Sequence, residues 1–114
     1  MTDAPIDVTP ADALRRLQAG EILLIDVREQ SEWDHSRIDG DVRHVPLSTL
    51  QAAAATIPTD LPIIFQCRVG GRSTMAAQAF RASGVEAYSL EGGLLAWDAA
   101  GLPITPAGAG VADH

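Results

Sequence analysis

Two short apolar runs stand out along the chain: Ile22-Leu23-Leu24-Ile25, and Leu61 to Gln66 with Ile63, Ile64 and Phe65 at its centre. Both are brief, rich in branched or aromatic residues and without alternation, which predicts strands buried on both faces. Weaker strand patterns lie at Ile6 to Val8, Val42 to Val45 and Ala87 to Leu90. Helices are predicted between them. One is capped by Thr9, has Pro10 at its first position and stops before Gly20. A short helical segment covers Ser31 to His35, and an alanine-rich helix covers Leu47 to Thr56. Another starts at Ser73 or Thr74 and ends at Gly84, and the last runs from Gly92-Gly93 to Ala100. Strands alternating with helices predict an α/β fold: a single three-layer domain with a central parallel sheet of about five strands and helices on both faces. Residues 1–103 are expected to form this domain. Residues 104–114, small and rich in Gly and Pro, are expected to form a flexible C-terminal tail.

A chain of 114 residues has room for one core. Its net charge of −7 disfavours nucleic acid and anionic lipid as partners. Every basic residue is arginine; the absence of lysine excludes Schiff-base chemistry and a lysine-bearing phosphate loop. One cysteine excludes an internal disulfide and a cysteine-rich metal site. His35, His44 and His114 lack ligand spacing, so no metal is expected. The first ten residues do not read as a signal peptide, and no stretch reaches the roughly 18 to 20 apolar residues that span a bilayer. A cytoplasmic protein is expected.

The chemistry concentrates where the second strong strand ends, in Cys67-Arg68-Val69-Gly70-Gly71-Arg72-Ser73. In parallel sheets ligands bind beyond the carboxyl ends of strands, which is where Cys67 falls. Gly70 and Gly71 let the backbone curl so that successive amides point inward as an anion nest. The following helix adds partial positive charge, and Arg68 and Arg72 add full charges suited to oxyanions, with Arg68 a candidate for the entrance and Arg72 alternatively a structural partner of a carboxylate. Together these favour a thiolate nucleophile and a bound dianion. Ser73 reads as a helix-start residue.

This loop resembles the active-site loop of the rhodanese family, C-R-x-G-x-R-S. The likeness extends through Leu24-Ile25-Asp26-Val27-Arg28-Glu29, Glu32-Trp33, Ile38-Asp39-Gly40, Val45-Pro46-Leu47, and Leu90 to Trp97 with Gly101-Leu102-Pro103. The chain departs from the family pattern at Ser36-Arg37, where Gly-His is common, at Asp41, and by one extra residue before Val45-Pro46. The resemblance implies a sulfurtransferase in which Cys67 is catalytic and residues 68 to 73 bind substrate, without a cofactor. Loop length separates it from related phosphatases and arsenate reductases, which place the arginine six positions after the cysteine; here Arg72 is five positions after Cys67. Two arginines favour thiosulfate over mercaptopyruvate as donor. The acceptor is a thiol, carried by a small molecule or by a thioredoxin-like or other sulfur-accepting protein. The rival reading is a carrier module that receives persulfide from a partner.

Three further residues are candidates for supporting roles. Asp26 and Arg28, at the end of the first strong strand, read as a structural pair or as a carboxylate facing the loop. Trp97 reads as a packing residue or as a wall of the pocket.

Overall fold

In the computed structural model, which describes residues 4–113, the two apolar runs lie side by side in the middle of one parallel sheet. Its strands are β1 (Asp7–Val8), β2 (Leu23–Asp26), β4 (Val42–His44), β5 (Ile63–Gln66) and β6 (Ala87–Leu90), in the order β1-β6-β5-β2-β4. β3 (Arg37–Ile38) pairs antiparallel with β7 (Ile104–Thr105), apart from the main sheet. The register of the central pair sets Leu23 opposite Ile63 and Asp26 opposite Gln66, so β2 and β5 end level with one another.

The runs lack alternation because each face of the sheet is covered. Ile25, Val27, Ile63 and Phe65 belong to one buried cluster, with Leu50 and Ala76 from α3 (Leu47–Ala53) and α4 (Gly71–Ala82). Leu24, Ile64 and Leu90 belong to the other, with Ala13 and Trp97 from α1 (Pro10–Gln18) and α5 (Gly93–Ala99). Successive residues of one strand therefore serve opposite cores. Phe65 meets Phe80 of α4 edge-on at 4.9 Å between ring centroids, an arrangement that adds to simple burial.

Local signals account for the helix starts. Thr9 Oγ1 accepts from the Asp12 amide at 3.2 Å, with Pro10 at the first position of α1. α2 (Gln30–His35) opens with a capping box between Glu29 and Glu32. α4 starts at Gly71, earlier than the predicted Ser73 or Thr74, because only Gly70 needs a positive φ (+122°); Gly71 is already helical. The predicted helix over residues 47–56 tightens into a 3₁₀ turn at Ala54–Thr56.

The residues expected to form a flexible tail lie along the domain. Ile104–Thr105 form β7, and the carbonyls of Ala109, Gly110 and Ala112 each meet a side chain from elsewhere in the fold. The sequence gives no hint of this, because the contacts are made by backbone carbonyls, which small residues carry as well as any others. Among the described residues, no helix is long and apolar enough to cross a membrane.

Candidate active site

Cys67 follows β5 directly, so the central strand fixes its position. Its side chain shares the cluster of Ile63 and Phe65, facing the α4 side of the sheet. The Gly70 amide donates to Cys67 Sγ at 3.1 Å and the Ser73 amide at 3.4 Å. The positive φ of Gly70 turns the chain back far enough for that first amide to reach the sulfur. Ser73 Oγ lies 3.4 Å from the sulfur, donates to the Gly70 carbonyl at 3.1 Å and shares a 2.7 Å bond with Ser89 Oγ on β6. The N-terminus of the twelve-residue α4 adds its partial positive charge on the same side. Cys67 is only 1% exposed, so the sulfur is enclosed rather than displayed on the surface.

The loop is also held from below. Its carbonyls accept from α5: Cys67 O from the Leu94 amide at 2.8 Å and Arg68 O from the Leu95 amide at 3.0 Å. Gly93, at φ +61°, makes this approach possible, since a Cβ there would lie 2.4 Å from Arg68 O and 2.6 Å from Cys67 O. The glycine pair that reads in the sequence as a helix opening is therefore a seat for the loop.

The two loop arginines have different partners. Arg72 makes a bidentate bond with the wholly buried Glu32: Nη1 to Oε1 at 2.7 Å and Nη2 to Oε2 at 2.9 Å. This contact holds the Glu32 carboxyl below the usual glutamate range and raises Arg72, with the Glu32 carboxylate as the largest cause of that rise. Arg68 instead donates from Nε to Ala112 O at 3.0 Å, with Nη2 3.9 Å from the Asp113 carboxylate.

Behind Glu32 sits a second pair. Asp26 and Arg28 are fully buried, joined from Arg28 Nη2 to Asp26 Oδ2 at 2.7 Å, and Asp26 Oδ1 also accepts the Arg28 amide at 2.9 Å. Arg28 Nη2 donates onward to Ser36 O at 2.8 Å, just beyond α2, the helix that carries Glu32. Burial of both charges needs such saturation of their hydrogen bonds.

The sequence profile of the rhodanese-like domain matches residues 9–100. The chain belongs to the rhodanese-like domain family. A rhodanese-related protein from Thermoplasma volcanium shares the fold, with a TM-score of 0.80 at 24% identity over 87% of this chain and 96% of that one. The thiosulfate sulfurtransferase GlpE of Glaesserella parasuis is 30% identical over 105 residues, covering 91% of this chain and 96% of the relative. The HTH-type transcriptional regulator Rv0324 of Mycobacterium tuberculosis is 37% identical over 100 residues, and the probable adenylyltransferase/sulfurtransferase MoeZ of the same species is 35% identical over 94. These alignments cover 85% and 79% of this chain, but 43% and 24% of the respective relatives. The chain thus spans under half the length of either, and 57% of an uncharacterized Synechocystis protein that it also matches.

Within this rhodanese-like domain, Gly70 and Ser73 of the predicted loop meet the sulfur, Val69 is exposed, and the side chains of Arg68 and Arg72 bond to Ala112 and Glu32 instead. Asp26 and Arg28 bond to each other and Arg28 to the end of α2; among the described residues Asp26 makes no hydrogen bond to the loop. Trp97 does not wall the loop. It is fully buried with Leu24 and Ile64 on the opposite face, its Nε1 donating to Pro103 O at 2.8 Å, whereas alternation along the strand sets the Cys67 side chain on the α4 side. Sequence reasoning missed Glu32 as the partner of Arg72, and Ser89. A serine inside the otherwise apolar strand Ala87–Leu90 is a usable signal for the second; for Glu32, its pairing 40 positions away left none.

Proposed function

We propose that this rhodanese-like domain transfers sulfane sulfur from thiosulfate, through a persulfide on Cys67, to a thiol acceptor. The observation that carries the reading is the pair of loop amides, from Gly70 and Ser73, converging on one enclosed cysteine sulfur. Such donors stabilise a sulfur that bears negative charge both before and after it is loaded. In the first half, the Cys67 thiolate attacks the outer sulfur of thiosulfate. A new S–S bond forms, the old one breaks, and sulfite leaves with the electron pair. In the second half, an acceptor thiolate attacks the outer sulfur and releases the Cys67 thiolate. No cofactor enters either step, and a cytoplasmic setting would supply the acceptor thiols.

The similarity to a thiosulfate sulfurtransferase over nearly the full length of both proteins supports thiosulfate as donor. The matches to parts of longer proteins support the carrier reading, in which a partner protein loads Cys67. Mass spectrometry separates them. Incubation with thiosulfate should add one sulfur, about 32 mass units, removable by cyanide or a reductant, and Cys67→Ser should lose both adduct and turnover while staying folded. Turnover retained in that variant overturns the mechanism. An adduct obtained only from a protein persulfide donor favours the carrier. Wild type should also hydrolyse an aryl phosphate no faster than Cys67→Ser; cysteine-dependent hydrolysis would overturn the loop-length argument.

A further inference from the structure

With Arg72 committed to Glu32, Arg68 is the loop's cation left to meet an anionic donor, and it is occupied by this chain itself. Its Nε donates to Ala112 O at 3.0 Å, and the exposed Asp113 carboxylate stands 3.9 Å from Nη2. The segment carrying both groups is fastened to the domain upstream. β7 pairs with β3, His35 Nε2 bonds Ala109 O at 3.0 Å, and the Ser36 hydroxyl donates to Gly110 O. We propose that residues 107–113 form a strap that competes with an anionic sulfur donor for Arg68, and that its release opens the loop to such donors. This rests on the reading of the Cys67 loop as the sulfur-transfer site.

Two physical effects act in the same direction. An oxygen of the donor that takes the Nε hydrogen bond must displace the Ala112 carbonyl, because that N–H serves one acceptor well at a time. The Asp113 carboxylate meanwhile lowers the local potential felt by an incoming anion, an effect that salt screens. Neither effect acts on a neutral donor. The enclosure of Cys67, 1% exposed, means that some neighbouring group must move before a donor enters. The Arg68 side chain, next to Cys67 in the loop, is tied to a segment outside the sheet-and-helix core.

The test compares the alkylation of Cys67 by iodoacetate, an anion, with that by neutral iodoacetamide. In both reactions the thiolate forms a carbon–sulfur bond and iodide leaves, so the ratio of rates reports charge selection without requiring sulfur transfer. Three chains are compared with wild type: one ending after Pro106, the Ser36→Ala variant that loosens one latch, and Arg68→Ala. Shortening the chain should raise the iodoacetate-to-iodoacetamide ratio about fivefold, the size expected from freeing one hydrogen-bonded arginine. Ser36→Ala should give a smaller rise in the same direction, and 1 M salt should shrink both. In the Arg68→Ala background shortening should leave only the small, salt-screened rise that loss of the Asp113 carboxylate produces. A ratio that does not respond to shortening, or that responds equally without Arg68, overturns the proposal. So does a Cys67 that neither reagent labels before or after shortening. Failure of the sulfur-transfer reading shows up separately, as the absence of the thiosulfate adduct whatever the ratio does.

Discussion

Arg72 meets a buried carboxylate with both of its terminal nitrogens, whereas Arg68, four positions earlier in the same loop, meets a carbonyl of the strap and the fringe of an exposed carboxylate. The first contact belongs to the architecture. Glu32 sits on α2, and the Arg28 guanidinium that Asp26 holds reaches the carbonyls of Glu32 and Ser36 at the end of that helix. A line of buried charge therefore runs from the sheet through α2 to the base of the loop. The second contact is peripheral and replaceable. Position in a loop motif thus says little about an arginine's partner: one is fixed to a buried carboxylate, the other rests against a partly exposed segment.

The comparison breaks most severely at its buried end. Arg28→Ala leaves the Asp26 carboxylate enclosed without its cation and should cost about 3 to 5 kcal/mol of stability, read from urea denaturation. A loss under about 1 kcal/mol would mean that Asp26 finds other partners. Next comes Arg72→Ala, expected to lower sulfur transfer about tenfold or more, since a hydrogen bond to a charged group is worth roughly 1.5 to 3 kcal/mol. Because Glu32 already holds Arg72, kcat/KM should fall by the same factor with thiosulfate and with a neutral persulfide donor. A loss confined to thiosulfate would return Arg72 to direct anion binding, the role that the sequence suggests.

Acidity probes the same pair more gently. The folded-state pKa of Glu32 is depressed by Arg72, so its contribution to stability is present above the ordinary glutamate value near 4.5 and is lost as pH falls through the depressed value. The stability difference between wild type and Glu32→Gln should therefore narrow as pH drops from about 5 toward 3. A difference that stays constant over that range would dissociate the pair from acid sensitivity. The smallest effect belongs to Arg68→Ala. With the strap in place it should lower kcat/KM for thiosulfate by only about threefold, leave a neutral donor unaffected and leave stability within about 0.5 kcal/mol.

This division also marks where the sequence could be read. The doubly buried strands, the cysteine at the end of one of them and the glycine-rich turn into α4 all follow from contiguous residues, where period and turn chemistry suffice. The contacts that give the loop its electrical character are long-range. Glu32 lies 40 positions from Arg72, Ala112 lies 44 from Arg68, and Gly110 lies 74 from Ser36. No local pattern announces such partners. Ser36, one of the positions at which the chain departs from the family pattern, reads in the sequence as a detail of a connecting loop, yet its hydroxyl latches the strap.

On the proposed sulfur-transfer reading, the seat that Gly93 makes for the loop bears on how sulfur would be handed over. Swinging Cys67 outward would break the bonds from Leu94 and Leu95 and prise the loop from a helix anchored by the fully buried Leu94 and Trp97. The sulfur is thus moored to a fixed quay rather than carried on a crane. The distance to the acceptor has to be closed from the other side, by a thiol slender enough to enter the loop or mounted on a projecting tip of its own protein. Among thiols of equal acidity, reach and girth should then rank the acceptors, with bulky, recessed thiols the slowest to unload the domain.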